Sequence, residues 1–244
     1  MTRHAFFPLW RAIPALLAGA FILSAILSAT PARSEVVFWG LSAEQFEFRA
    51  NGEDDALAWD FDVIHGGDDV RAVWRSKAEY GLRAHAFEKL ENQLRLQTPV
   101  SDFFDAVAGI RLDTPVGPDR AHAVVGLHGL AKQWFEIDAD LYLSDHPSVR
   151  FEIDYEGLIT NRLILVPSIE LDVPLTDDRA VESGALGPTM EAGARLSYDL
   201  IDRLVSPYVG LHYERSFGRT ADFIRAGGGD AGALFVVAGM RVLF

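Results

Sequence analysis

Cysteine is absent from the 244-residue chain, and methionine occurs only three times. The lack of cysteine excludes disulfide bonds and thiolate metal sites. Cationic residues are also scarce, because 22 Lys and Arg face 35 Asp and Glu. The chain therefore lacks the basic surface that binding to nucleic-acid phosphates requires, and its acidic surplus favours small cations as partners.

Long apolar runs are missing except near the beginning of the chain. Arg3 and Arg11 precede an apolar stretch at 13–28, and the small-x-small sequence Ala-Arg-Ser follows it at 32–34. This order is typical of a secretory signal peptide, so we expect 1–34 to be a signal peptide and 35–244 to be the exported domain. The alternative is an anchoring helix, which needs about 20 apolar residues. Beyond this stretch, only strands are left to cross a membrane.

The exported domain contains a period-two alternation of apolar and polar residues. In 135–144, for example, Phe135, Ile137 and Leu141 alternate with Glu136, Asp138 and Asp140. Such alternation predicts strands with one apolar and one charged face. Twelve runs fit this pattern: 41–51, 57–65, 70–79, 90–98, 104–113, 121–130, 135–144, 149–156, 163–173, 190–199, 207–215 and 234–244.

The lengths of these runs and of their connections separate a membrane barrel from a soluble sandwich. Strands in soluble sheets average about 5–6 residues, whereas a tilted membrane strand needs about 9–11, which most of the runs match. Short turns such as 66–69, 131–133 and 159–161 are interleaved with longer polar loops at 174–188 and 216–232. We therefore predict an all-β fold, a transmembrane antiparallel up-and-down barrel of about twelve strands with both termini periplasmic. Ten strands is the fallback if the first two runs are irregular.

Two further features support insertion into the lipid of an outer membrane. From Leu234 to Phe244, every second residue is apolar, which is typical of a last barrel strand. We expect the outer-membrane assembly machinery to recognise this strand through Phe244. Aromatic residues near predicted strand ends favour interfacial girdles; they are Trp74, Tyr80, Phe103, Phe104, Trp134, Phe135 and Tyr208.

Three stretches resemble copper resistance protein B of Gram-negative bacteria. They are AVVGLHGLAKQWFEID at 123–138, LILVPSIEL at 163–171 and YVGLHYERSFGRTADF at 208–223. The resemblance extends from about Trp39 through nearly all of the exported domain. It implies an outer-membrane barrel that contributes to copper tolerance, with copper ions as its ligand and periplasmic copper-handling proteins as its partners.

The methionine content departs from the pattern of that family. Its members often carry a segment rich in Met and His before the barrel, but the methionines here are Met1, Met190 and Met240. The last two fall on the predicted lipid face. Because thioethers favour Cu(I) whereas imidazoles and carboxylates suit Cu(II), we expect loose binding of divalent cations and no dedicated Cu(I) site.

The predicted lumen holds more carboxylates than guanidinium groups, together with three histidines. We expect its metal ligands among His122, His128, His212, Asp138, Asp140, Glu152, Asp154 and Glu214. The alternatives are a general cation-attracting porin and a structural barrel whose interior is held shut by salt bridges. A lipid hydrolase built on His146, Ser148 and Glu152 is a further alternative, although Asp-His-Pro-Ser at 145–148 also fits an ordinary turn. We expect no enzymatic activity.

Overall fold

The computed structural model describes residues 36–244 apart from Glu53 and Asp202. The predicted signal peptide, 1–34, lies outside the described residues. Twelve strands make up most of the described chain: β1 Phe38–Ala50, β2 Ala56–Gly66, β3 Arg71–Gly81, β4 Ala86–Pro99, β5 Phe104–Asp113, β6 Arg120–Ala131, β7 Phe135–Leu143, β8 Ser148–Tyr155 (continued by Gly157–Leu158), β9 Leu163–Pro174, β10 Thr189–Tyr198, β11 Val205–Ser216 and β12 Gly232–Leu243.

Every strand pairs antiparallel with its neighbours in sequence, and β12 pairs with β1 to close the barrel. At the seam, the backbone N–H of Leu41 donates to Phe244 (2.9 Å) and the N–H of Phe244 donates to Leu41 (2.8 Å). Closure leaves no sheet edge exposed. The prediction of twelve strands is confirmed. The first run keeps its place despite a register irregularity between Ala43 and Glu47.

The sheet carries its polar residues on the inner face and its apolar residues on the outer face, the reverse of the arrangement in a soluble protein. On β4, Gln93, Arg95 and Gln97 are buried inside the barrel, whereas Leu94 and Leu96 between them are exposed outside. Arg95 is 0% exposed and Val236 on β12 is 61% exposed. Asp138 and Asp140 on β7 and Arg150 on β8 are likewise buried, which confirms the predicted inward orientation of these charged residues.

The connections differ in length between the two ends of the barrel. One end, the turn end, carries the connections 67–70, 100–103, 132–134, 159–162 and 199–204, together with the start of β1 and the end of β12. The other, the loop end, carries 51–55, 82–85, 114–119, 144–147, 175–188 and 217–231. The predicted asymmetry of short turns and longer loops holds.

The loop 217–231 contains a helix that the sequence pattern did not reveal, α1 at Gly218–Gly227. It ends at Gly228, whose φ of 88° suits glycine and whose N–H bonds back to Ile224 and Arg225. Thr220 on α1 joins this loop to loop 175–188, because its hydroxyl donates to the carbonyl of Gly187 (2.6 Å) and accepts from the N–H of Gly184 (3.0 Å). No helix in the described ranges is long and apolar enough to cross a membrane.

The aromatic prediction needs one correction. Phe103 and Trp134 lie exposed at the turn end, as a girdle requires, and Trp74 is exposed on β3. Tyr208 instead lies inside the barrel, 5% exposed, because its hydroxyl donates to Glu47 at 2.9 Å. Its position near a strand end does not distinguish an interfacial tyrosine from one that reaches an inward carboxylate.

The seam can be tested directly because the chain has no native cysteine. Phe48 on β1 is paired with Ala238 on β12. The double variant Phe48→Cys/Ala238→Cys should form a disulfide in high yield on oxidation of the folded protein, detected as a mobility shift on non-reducing gels. The control pair, Phe48→Cys/Val242→Cys, is displaced by four residues, roughly 13 Å along the strand, and should not cross-link. Equal yields for the two pairs would contradict this register.

Candidate functional site

Glu47 on β1 is the centre of one buried charge cluster inside the barrel. Its two carboxylate oxygens accept from Arg195 on β10 at 2.8 Å each and from Arg49 at 2.9 Å. Arg49 also reaches Glu79 on β3 at 3.1 Å. Because a carboxylate and two guanidinium groups meet away from water, each depends on the others for neutralisation.

Glu91 on β4 forms a second cluster of the same kind. Arg150 on β8 donates to both of its oxygens at 3.0 and 3.1 Å, and Arg111 on β5 lies 2.9 Å from it. The Arg111 guanidinium also stacks over the ring of Tyr142, 4.4 Å from the ring centre. The side chains of this second cluster and the Tyr142 ring pack together inside the barrel.

Further ion pairs lie inside the lumen, and most of them join strands that are not neighbours. Lys77 on β3 lies 2.7 Å from Glu152 on β8 and 3.0 Å from Asp60 on β2. Arg95 on β4 donates to both oxygens of Asp140 on β7, at 2.8 and 3.0 Å. A Cβ at position 126 would collide with the Asp140 carboxylate, so Gly126 makes room for this pair.

A wide opening of about 920 Å³ at the turn end is lined by His128 and Glu136, and three smaller cavities follow one another along the described lumen. The largest of the three, about 290 Å³, opens at the turn end, one of about 230 Å³ lies at the loop end, and one of about 50 Å³ lies between them. The central cavity shares Lys89 with the loop-end cavity, and Gln45 and Arg195 with the turn-end cavity. These charged or polar side chains therefore separate each cavity from the next.

One group of potential metal ligands lies near the turn end, on the hairpin of β6 and β7. One ligand atom from each of His128, Glu136 and Asp138 lies within 4.8 Å of the other two. The hairpin builds this group locally, because His128 is directly opposite Asp138 and the two acids are on the same face of β7. Gln133 and Trp134 close the turn with φ of 72° and 67°.

The members of this group differ in how far they are neutralised. Asp138 lies 3.2 Å from His128 and is also approached by Arg75 at 3.4 Å and Arg95 at 3.5 Å. Glu136 has no hydrogen bond or salt bridge to any residue that the structure describes, and lines the turn-end cavity. An imidazole and two carboxylates suit a borderline divalent cation such as Cu(II) or Zn(II).

The other predicted ligands are not members of this group. Asp140 is held by Arg95 and Glu152 by Lys77, as described above. His212 on β11 lies 3.1 Å from Arg49 and 3.6 Å from Glu191, and His122 on β6 lies 3.3 Å from Asp113. Asp154 on β8 is directly opposite Glu136 and lines the turn-end cavity, while Glu214 is opposite Glu191. The structure thus brings together His128 and Asp138 of the predicted set.

Some functional side chains were missed in the sequence. Glu136 was placed on the inward face but not among the ligands, and Arg75, Lys77 and Arg95 were not recognised as lumen residues. For Arg95, the signal was present in the alternation of β4, where polar residues occupy every second position: Glu91, Gln93, Arg95 and Gln97.

The residues considered for hydrolysis are arranged differently from a catalytic dyad. The Nε2 atom of His146 lies 3.7 Å from Asp178 in loop 175–188. No hydrogen bond joins His146 to Ser148 in the structure, and Glu152 is bound by Lys77. A nucleophilic serine needs a base within hydrogen-bond reach.

Comparison with known proteins identifies relatives over the whole barrel. Residues 37–244 match the family model described as copper resistance protein B precursor (CopB). A copper resistance protein B homolog of Pseudomonas syringae pv. tomato is 35% identical over 205 residues, covering 83% of this chain and 68% of the relative. Copper resistance protein B of Escherichia coli is 31% identical over 204 residues, covering 82% of this chain and 68% of the relative.

A solved porin shares the fold at much lower sequence identity. The chain superposes on the NanC porin with a TM-score of 0.54 and 12% identity, covering 84% of this chain and 99% of the porin. This likeness supports the barrel architecture.

Some lumen carboxylates are paired with basic side chains and others are not. We therefore expect their substitution to lower the free energy of unfolding by different amounts. Glu47→Gln should lower the free energy of unfolding by about 3–5 kcal/mol, because it leaves Arg195 without its buried counter-charge and Arg49 with Glu79 alone. Glu136→Gln is the matched control and should change it by less than about 0.5 kcal/mol. Urea unfolding of both variants in the same lipid vesicles, followed by tryptophan fluorescence, measures the difference. Similar costs for the two would refute the division into structural and available carboxylates.

Proposed function

The chain belongs to the copper resistance protein B family, and we propose that it is an outer-membrane barrel that binds Cu(II) at the turn-end mouth of its lumen. The observation that carries the copper site is the convergence of His128, Glu136 and Asp138 within 4.8 Å. In this proposal, 1–34 directs export, and the assembly machinery recognises the last strand through Phe244.

The exposed apolar face supports the proposal of membrane insertion. Val125, Val209 and Val236 are each more than half exposed on the outside of three different strands, which water would disfavour and lipid would cover. Trp39 and Trp134 are exposed at the turn end, where a lipid headgroup layer suits their amphipathic rings. Short turns face the periplasm in bacterial outer-membrane barrels, so we assign the turn end to that side.

The donor set favours Cu(II) held loosely enough to be released. Imidazole and carboxylate ligands suit Cu(II), whereas the described lumen offers no thioether to select Cu(I), since Met190 and Met240 are on the outer strand faces. Arg75 and Arg95 beside Asp138 repel a divalent cation and lower its affinity. Such a site exchanges its ion, and we propose that periplasmic copper-handling proteins exchange copper with it at the turn end.

Family membership and the barrel fold together favour a non-enzymatic role in copper resistance. A general cation-attracting porin is the second candidate, favoured by the surplus of Asp and Glu over Lys and Arg. The two candidates differ in selectivity: a His-containing site prefers Cu(II) over Ca²⁺ and Mg²⁺, whereas an acidic lumen without one does not.

Copper binding tests the site. Removing the imidazole with His128→Ala should weaken Cu(II) binding to the folded protein in detergent micelles by at least about tenfold, since even changing a group that only supports a ligand costs about that much. The measurement is a Cu(II) titration followed by electron paramagnetic resonance, with copper survival of the producing cells measured in parallel. His65→Ala is the control, because His65 is exposed on β2, outside this group. Unchanged affinity and survival in His128→Ala would reject the site.

Membrane insertion has its own test. Val209→Arg lies in the middle of β11 on the outer face and should lower the free energy of unfolding in vesicles by about 2–4 kcal/mol. Ile159→Arg, at an exposed turn, should cost about 0–1 kcal/mol, because charges near the membrane surface reach water. Costs that are small at both positions would indicate that the apolar face is not in lipid.

A further inference from the structure

The outer wall of the barrel becomes polar where β11 reaches the loop end. Val209 and Leu211 are exposed on the outer face of this strand, and Tyr213 and Arg215 follow them at every second position. Among the described residues on the outer faces of β10, β11 and β12, Arg215 is the one charged side chain. The order aliphatic, tyrosine, arginine is typical of a strand that passes from the hydrocarbon layer of a membrane into the headgroup layer.

Two aromatic side chains contact the Arg215 guanidinium. Its Nη1 atom donates to the hydroxyl of Tyr213 at 3.3 Å, and its Cζ atom lies 5.7 Å from the centre of the Phe217 ring. A Cβ at Gly232, which is directly opposite Arg215 on β12, would lie 3.4 Å from Cγ and 3.5 Å from Cβ of Arg215, so the aliphatic stem rests across Gly232. Arg215 makes no salt bridge to any residue that the structure describes, so the protein supplies no counter-charge for it.

Arg215 lines an open groove of about 460 Å³ at the loop end. The loop 217–231 contributes Arg225 and Asp230 to this groove, and β12 contributes Leu234, which is 57% exposed. Arg225 lies 3.6 Å from Asp222, but both side chains are more than half exposed, and such a surface pair is weak enough for another anion to compete for the guanidinium. The groove thus places two guanidinium groups at the edge of the apolar outer face, with one acid, Asp230, beside them.

We propose that Arg215, Arg225 and Tyr213 bind the phosphate of a lipid headgroup in the outer leaflet of the membrane. The inference rests on the proposed insertion and orientation of the barrel, in which the loop end faces outward, and it does not depend on the copper site. A planar guanidinium forms two parallel hydrogen bonds with a phosphate. Because the hydroxyl oxygen of Tyr213 accepts from Arg215, its own proton is left to donate to the phosphate.

The apolar surface next to the groove favours a lipid over a soluble phosphate. Leu211, Leu234 and Val236 are between 50% and 61% exposed on the outer faces of β11 and β12. The acyl chains of a lipid held at Arg215 would cover these side chains, and burial of apolar surface adds to the affinity. Inorganic phosphate would gain only the contacts to the exposed guanidinium groups, which salt screens.

Lipid binding by the folded full chain tests the proposal. The protein in detergent micelles is titrated with lipid A, whose sugars carry phosphate groups, and bound lipid is counted by native mass spectrometry. Arg215→Gln should weaken binding by at least about fivefold, because it removes a charge-assisted hydrogen bond. Arg215→Lys should bind with intermediate affinity, since it keeps the charge but not the planar pair of donors. The control is Arg83→Gln, at an exposed loop-end arginine outside the groove, which should bind like the unmodified protein.

Asp230→Asn tests the charge of the groove in the opposite direction. It should strengthen lipid binding several-fold, because the acid beside the two guanidinium groups repels a phosphate. Arg215 and Asp230 are both exposed, so their substitution should leave the folded fraction unchanged, as measured by gel mobility with and without heating. Cu(II) binding to Arg215→Gln should also be unchanged.

The outcomes separate this proposal from the others. Equal binding of lipid A before and after enzymatic removal of its phosphates would overturn the lipid site, and so would equal binding by Arg215→Gln and the unmodified protein. Displacement of the lipid by the same molar concentration of inorganic phosphate would assign the groove to a soluble anion and overturn it as well. A small effect of Val209→Arg on stability in vesicles would instead count against membrane insertion, and unchanged Cu(II) affinity in His128→Ala would count against the copper site alone.

Discussion

Ion pairs buried across the lumen are the interaction on which the rest of this barrel depends. Closing twelve amphipathic strands with their apolar residues outward forces every alternate polar residue into one narrow interior. Charges removed from water there are tolerated only with counter-charges and hydrogen bonds. Glu47 with Arg49 and Arg195, and Glu91 with Arg111 and Arg150, meet this requirement, and each set ties together strands that share no backbone hydrogen bonds.

The same requirement decides which carboxylates are available to a metal. Glu152 and Asp140 were reasonable candidates by residue type, but Lys77 and Arg95 already supply their positive partners. A metal could replace those partners only by stranding them. Glu136 makes no hydrogen bond or salt bridge to any residue that the structure describes, and it lines the turn-end cavity. The carboxylates available to a metal in this lumen are therefore those that the protein leaves unpaired, and Glu136 at the turn-end mouth is one of them.

The strands, their number and their faces could be predicted from the sequence because period-two alternation is local. The hairpin pair of His128 and Asp138 is also close to local, since a short turn sets its register. The partners across the lumen could not be predicted: Arg195 and Glu47 are 148 residues apart, and their contact depends on strand tilt and barrel closure. Helix α1 was missed because its short amphipathic pattern lies within a polar loop. Tyr208 was misplaced because a tyrosine near a strand end fits both a membrane interface and an inward hydrogen bond.

The central cavity constrains how copper could move between the two mouths. Its volume of about 50 Å³ leaves room for only a few water molecules, far less than a hydrated divalent cation needs. Lys77, Lys89, Arg49 and Arg195 line it together with Glu79, Glu170 and Glu191. An ion could cross here only by exchanging its water for these carboxylates while the basic side chains move away, which would break several buried pairs at once. This cost disfavours the free diffusion of an ion along the axis of the barrel.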